Sequence, residues 1–196
     1  HILNPADLLV GTSHGLDPVR ARIRVILDQA GQMPRRRSCF AAIAPSSVRL
    51  LMREIVLDTE TTGLDPLRGD RLVEIGCVEI FNRMPTGQTF HRHLNPERDM
   101  PAEAFAVHGL SSEFLAGKPL FVHVVEEFLE FIGEAPLVIH NASFDISFIN
   151  AELDRIKRPL IARERLVDTL LLARRKHPGV SNRLDDLCSR YAIDNS

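Results

Sequence analysis

Glu54-Ile55-Val56-Leu57-Asp58-Thr59-Glu60-Thr61-Thr62-Gly63 decides how the rest of this chain is read. Four residues dominated by Ile, Val and Leu form a short apolar run that predicts a strand buried inside a sheet. Strand side chains alternate faces, so Asp58 and Glu60 project to the same side from the end of that strand. Two like charges held there repel each other and lose solvation unless a cation satisfies both. Oxygen-only ligands suit hard cations such as Mg²⁺ or Mn²⁺. An isolated Asp-x-Glu is ordinarily a solvated acidic turn. The apolar run before it and the Thr-Thr-Gly turn after it argue for the metal.

Outward from this stretch the pattern is regular. Leu64 to Asp70 is turn-rich, with Pro66 and Gly69. Leu72–Phe81 and Gln88–Leu94 are predicted as second and third strands, joined by Asn82 to Gly87. That spacing suits an antiparallel meander. Phe121, Val124, Val125, Phe128, Leu129 and Ile132 recur at helical spacing, opposite Glu126, Glu127 and Glu130. Gly133 ends that helix and Leu137–Ile139 returns as a buried strand. A helix over Ser143–Lys157, a strand at Arg165–Val167, and helices over Thr169–His177 and Arg183–Tyr191 complete the series. Antiparallel strands followed by alternating helices and strands predict an α/β domain with a mixed sheet.

A third carboxylate joins the first two. His140-Asn141-Ala142-Ser143-Phe144-Asp145 connects the fourth strand to a helix whose core stripe is Ile149, Leu153 and Ile156. Four residues before Ile149, Asp145 falls on that stripe in the first turn, facing the sheet. Three acids from two separate motifs point to one metal cluster. Asp168, where a strand meets a helix, is read as a helix cap or a support for the ligands.

Bulk properties narrow the function. The chain has 196 residues, 44% hydrophobic and 26% charged, as expected of a globular protein. No apolar run of about 18 residues spans a membrane. Cys39, Cys77 and Cys188 are odd in number and lack Cys-x-x-Cys spacing, which argues against a zinc site or disulfide framework and fits a reducing cytoplasm. Residues 1–51 carry seven Arg and three Asp, a net +4, whereas residues 52–196 carry −6. A −6 domain is no general polyanion binder, so any nucleic-acid contact needs a local patch or metal ions. Residues 1–51 are broken by Pro and Gly, with one candidate helix at Val19–Ala30 before Arg35-Arg36-Arg37. Met52 directly precedes the first strand. The expected organisation is an N-terminal extension, 1–51, flexible or not native, and a catalytic domain, 52–196.

Ile55 to Gly63 and His140 to Asp145 resemble the first two motifs of the DEDD superfamily of 3′–5′ exonucleases. The likeness extends through Pro101–Leu115, Val167–Leu170 and Leu184–Cys188, and is closest to the proofreading epsilon subunits of bacterial DNA polymerase III. It covers about residues 53–196. It implies a ribonuclease H-like fold and hydrolysis of DNA 3′ ends by two divalent ions, Mg²⁺ or Mn²⁺, ~3.5–4 Å apart. By the resemblance Asp58 bridges both ions, Glu60 binds one and touches the terminal nucleotide, and Asp145 completes the cluster. Glu103 and His108 match residues that contact that nucleotide. Without the family His108 reads as a helix-end or loop histidine and Phe105 as a core residue.

The family's general-base His and fourth Asp lie in a last motif, expected some ten to fifteen residues after Tyr191. This chain stops at Asn195-Ser196, so the catalytic domain is expected to be truncated. His91, His93, His108, His123, His140 and His177 do not substitute, since none is followed at that spacing by an Asp in the required helix; the Asp five residues after His140 is Asp145 of the second motif. The implied partners are a single-stranded or mismatched DNA 3′ end and the polymerase catalytic subunit. Two alternatives stand beside this reading: an RNA-trimming relative, and a catalytically incomplete module that docks on a polymerase.

Overall fold

The computed structural model describes residues 52–192. The expectations for 1–51, including the Val19–Ala30 helix, the Arg35–Arg37 cluster and Cys39, fall outside these residues. Strand β1, Arg53–Thr61, lies at the centre of a mixed five-stranded sheet. It pairs antiparallel with β2, Leu72–Phe81, which pairs antiparallel with β3, Met84–His93. On its other side β1 pairs parallel with β4, Leu137–Ile139, and β4 with β5, Leu166–Asp168. The order is β3-β2-β1-β4-β5. Helices follow in chain order: α1 at Ala102–His108, α2 at Ser112–Ala116, α3 at Phe121–Ile132, α4 at Ala142–Arg155, α5 at Thr169–Lys176 and α6 at Leu184–Tyr191. This is the sheet flanked by helices that the sequence predicts.

β1 is buried on both faces, which explains its nearly unbroken apolar run. Ile55 and Leu57 join the larger core under α3 and α4, with Cys77, Phe90, Phe128, Ile149 and Leu153. Val56 faces the other way and packs with Val78, Ile80 and Val138. The strand runs four residues past the predicted Leu57, so Asp58 and Glu60 belong to the ladder itself.

The link between β2 and β3 corrects the sequence reading. Instead of a loop from Asn82 to Gly87, β3 starts at Met84 after a two-residue turn. Asn82 and Arg83 have φ of 51° and 69°. Positive φ at both positions is what a tight hairpin needs to match strand twist, and Asn-Gly is its usual signature. Arg83 in the second place hid the turn.

Two arginines close the C-terminal end of α3, whose last carbonyls have no partner within the helix. Arg53 Nη2 donates to Phe131 O at 2.6 Å, and Arg165 Nη2 to Gly133 O at 2.6 Å and Ala135 O at 2.9 Å. Positive charge at that end also complements the helix dipole. Among the described residues no helix is long and apolar enough to cross a membrane.

Candidate active site

Asp58, Glu60 and Asp145 are 6%, 4% and 3% exposed, a costly concentration of buried acid that a bound cation would offset. Alternation puts Asp58 and Glu60 on the Val56 face of β1 and Thr59 on the face covered by α4. Thr59 Oγ1 donates to Asp145 Oδ1 at 2.8 Å. Asp145 therefore reaches β1 from the α4 side, beside the residue that separates the other two acids. The helical stripe had placed Asp145 toward the sheet, and it is buried there. Thr59 was not singled out from sequence; its position between two acids on an alternating strand is the signal that could have found it.

Among the described residues, the one group of three candidate ligands with atoms all within 4.8 Å of one another is Glu74, His91 and His93. Asp58, Glu60 and Asp145 are not drawn so close. Carboxylates at contact distance repel unless a cation lies between them. As a donor set they are all oxygen and all shielded from water, which fits a hard divalent cation.

The start of α4 is positioned from outside the helix. Asn141 occupies the left-handed region, φ 69°, and its side chain forms no cap. The Asp168 carboxylate does that work, accepting from Asn141 N at 3.3 Å and Ala142 N at 3.2 Å. It also caps its own helix α5, accepting from Leu170 N at 2.9 Å and Leu171 N at 3.2 Å. The expected cap thus serves two helix starts, one of which carries Asp145. Asp168→Ala is expected to cost about 2–3 kcal/mol, from about 1 kcal/mol per lost cap plus uncovered N–H groups. Chemical denaturation measures this, and a loss below about 0.5 kcal/mol would contradict the double cap.

The loop after β1 is built on Asp70. Its carboxylate accepts from Asp65 N at 3.1 Å and Arg98 Nη1 at 2.8 Å. A Cβ on Gly63 would come within 2.3 Å of Asp70 Oδ2, so any other residue there must displace the Asp70 carboxylate and the bonds it accepts.

His140 is tied down rather than catalytic. Its Nε2 donates to Asn182 O at 3.2 Å, and Nδ1 pairs with Thr169 Oγ1 at 2.9 Å. Burial holds its pKa below the usual value, partly offset by the Asn182 carbonyl and Asp168. The unfolded chain then takes up a proton near pH 6.5 while the folded ring stays neutral. Its contribution is present above that pH and is lost as pH falls toward the depressed folded value. Urea midpoints are expected to fall between about pH 7 and about pH 5.5, with a shallower fall in His140→Gln. Equal slopes would contradict this.

Glu103 is exposed on α1, and His108 ends the same helix, buried, with Nδ1 accepting from Leu110 N at 3.1 Å. Phe105, expected in the core without the family, is 47% exposed. Helix α1 is too short to bury both faces, and its Phe and Val107 side face outward.

The sequence profile of the exonuclease family matches residues 55–196. The DNA polymerase III subunit epsilon of Rickettsia felis is 53% identical over 148 residues, covering 74% of this chain and 65% of that protein. The subunit of Salmonella typhimurium is 50% identical over 153 residues, covering 74% and 63%, and that of Escherichia coli K12 is 47% identical with the same coverage. The chain thus spans somewhat less than two thirds of these relatives. Exonuclease X in complex with 5′ overhanging duplex DNA superposes with a TM-score of 0.55 at 25% identity, covering 71% of this chain and 74% of that one. Product-bound exonuclease I gives 0.64 at 16% identity, covering 74% and 39%, a likeness of ribonuclease H-like fold alone. With the buried acids of β1 and α4 inside the matched region, the chain belongs to the exonuclease family.

Proposed function

We propose that this chain is the exonuclease part of a DNA polymerase III proofreading subunit, acting in the cytoplasm on 3′ ends of single-stranded or mismatched DNA. One observation carries the reading: Asp58, Glu60 and Asp145 are buried around one strand end in a chain of exonuclease family. The relatives' names at 47–53% identity support the epsilon role and its polymerase partner. Asp58, Glu60 and Asp145 would hold the divalent ions, Mg²⁺ or Mn²⁺. When bound, such ions supply Lewis-acid stabilisation of charge at the scissile phosphate and activate water.

The chain's own residues set up that chemistry. Burial strips water from Asp58 and Glu60 and strengthens their pull on cations. Thr59 holds one oxygen of Asp145, and Asp168 fixes the helix that bears it. Glu60, Glu103 and His108 would contact the terminal nucleotide, with His108 held by Leu110 N.

The test is incubation of the intact protein with 3′-mismatched and 3′-paired primers and Mg²⁺ or Mn²⁺. Mononucleotides are expected from the 3′ end, faster at the mismatch. Release from RNA at an equal or higher rate would favour the RNA-trimming reading. No release from either polymer would remove the enzymatic one.

A further inference from the structure

Glu74, His91 and His93 lie outside the acids assigned above and on the same face of the sheet. Glu74 is directly opposite both Glu60 on β1 and His93 on β3, and Gly76 is opposite both Asp58 and His91. Residues opposite one another across strands share a face, so Glu74 and the two histidines flank Asp58 and Glu60.

The group is built as a site. Glu74 is fully buried, 0% exposed. Its Oε1 is 2.5 Å from His91 Nε2 and 3.2 Å from His93 Nε2. Its Oε2 is buried with no hydrogen-bond partner, a costly state for a carboxylate oxygen. The two rings meet edge to face at 4.9 Å, and Phe114 of α2 packs against His93 at 5.0 Å, which limits how the ligands turn. Both histidines are partly exposed, which gives an ion a way in.

We propose that Glu74, His91 and His93 form a second metal site, for a borderline transition cation of the Zn²⁺ class, beside the exonuclease carboxylates. Two imidazoles and one carboxylate are a known zinc set, leaving a fourth position open. Imidazole nitrogen selects against Mg²⁺ and Ca²⁺, so this site and the all-oxygen acids separate cations by ligand softness. Metal–nitrogen bonds of about 2.0–2.1 Å in a tetrahedron put ligand atoms ~3.3 Å apart. The Glu74–His93 separation of 3.2 Å already fits. His91 needs to withdraw by less than ~1 Å, which a ring on the edge strand can do by rotation. A cation here also offsets the repulsion between Glu60 and Glu74 facing each other across the ladder. The cysteine spacing excluded zinc held by cysteine; these ligands are His and Glu, brought together by strand register.

Zn²⁺ titration by calorimetry tests the site in the intact protein, with Asp58→Asn and Asp145→Asn in the background to weaken the acidic cluster. The expected result is an added equivalent of Zn²⁺ that excess Mg²⁺ does not displace. His91→Gln and His93→Gln are each expected to weaken that equivalent at least ~100-fold, more than loss of an outer contact would. Unchanged stoichiometry and affinity in both variants overturns the proposal. A second measurement needs no variant in β3: long-range ¹H–¹⁵N spectra of the protein report each ring nitrogen. Zn²⁺ is expected to shift Nε2 of both His91 and His93. Shifts at neither would leave Glu74 and His91 as a plain ion pair and overturn the site.

Discussion

Asp58→Asn is expected to lower 3′-end hydrolysis by the intact protein at least ~10³-fold while leaving the fold in place. Asn preserves the shape of Asp but halves the carboxylate's oxygens and removes its charge, the two properties by which it would hold divalent ions. Metal stabilisation of a transition state is worth several kcal/mol; losing about 4 kcal/mol at ~1.4 kcal/mol per tenfold gives that factor. Asp58 is buried in the central strand, with Gly76 opposite on β2. Isosteric replacement there leaves packing intact, so the melting temperature is expected to stay within about 4 °C. Asp154→Asn, an exposed acid paired loosely with Lys157, is the control. It is expected to change neither rate nor stability beyond about 0.5 kcal/mol. Single-turnover release of the 3′ nucleotide makes the comparison. More than a tenth of the original rate in Asp58→Asn would remove Asp58 from the metal assignment.

Arg71→Ala is expected to cause the largest loss of stability among single changes near the site, about 3 kcal/mol, or roughly 10 °C in melting temperature. Arg71 stands just before β2 and reaches Glu152 in the last turn of α4. Nε donates to Oε1 at 2.6 Å and Nη2 to Oε2 at 3.0 Å, a two-pronged pair on a buried carboxylate. The bond with Glu152 raises the pKa of Arg71, with burial opposing it. Removing the guanidinium leaves Glu152 buried beside Arg155, which donates to Oε1 at 2.8 Å. That residual contact keeps the cost near the lower end of the ~3–5 kcal/mol for breaking a buried pair. The double variant Arg71→Met with Glu152→Met is expected to recover most of it, because a packed apolar pair needs no charge compensation. Urea unfolding of the three proteins decides. A double variant as unstable as Arg71→Ala would show that packing, not the uncompensated charge, carries the effect. The backbone of Arg71 also exchanges two hydrogen bonds with Thr62, at 2.9 and 3.0 Å. Loosening Arg71 is therefore expected to reach the Thr61-Thr62-Gly63 turn beside Asp58 and Glu60.

Much of the architecture is written locally. The apolar run at Ile55–Leu57, the 3.6-residue spacing from Phe121 to Ile132 and the stripe holding Asp145 are patterns of neighbours along the chain. Each is set by burying one stripe or both faces, so each survived folding with ends moved by a few residues. The pair Asp58 and Glu60, and the inward side of Asp145, follow from the same arithmetic. Phe105 did not follow it, because a seven-residue helix at the surface has no second layer to bury it.

What the chain does not spell out is register. A turn of Asn82-Arg83, in place of a longer loop, fixes how β3 lies on β2, and a shift of one residue would turn every side chain to the other face. Only that register sets His91 and His93 against Glu74, 17 and 19 residues away. Only packing brings Asp168 to the start of α4 and Arg71 to Glu152, 81 residues on. Such contacts carry no periodic signal, since they form where distant elements meet after the core has closed. The sequence by itself thus determined the strand, the helices and the acids they present. The tertiary structure alone decided that Asp168 also holds the start of α4, which carboxylate Arg71 balances, and that two histidines and Glu74 share one place.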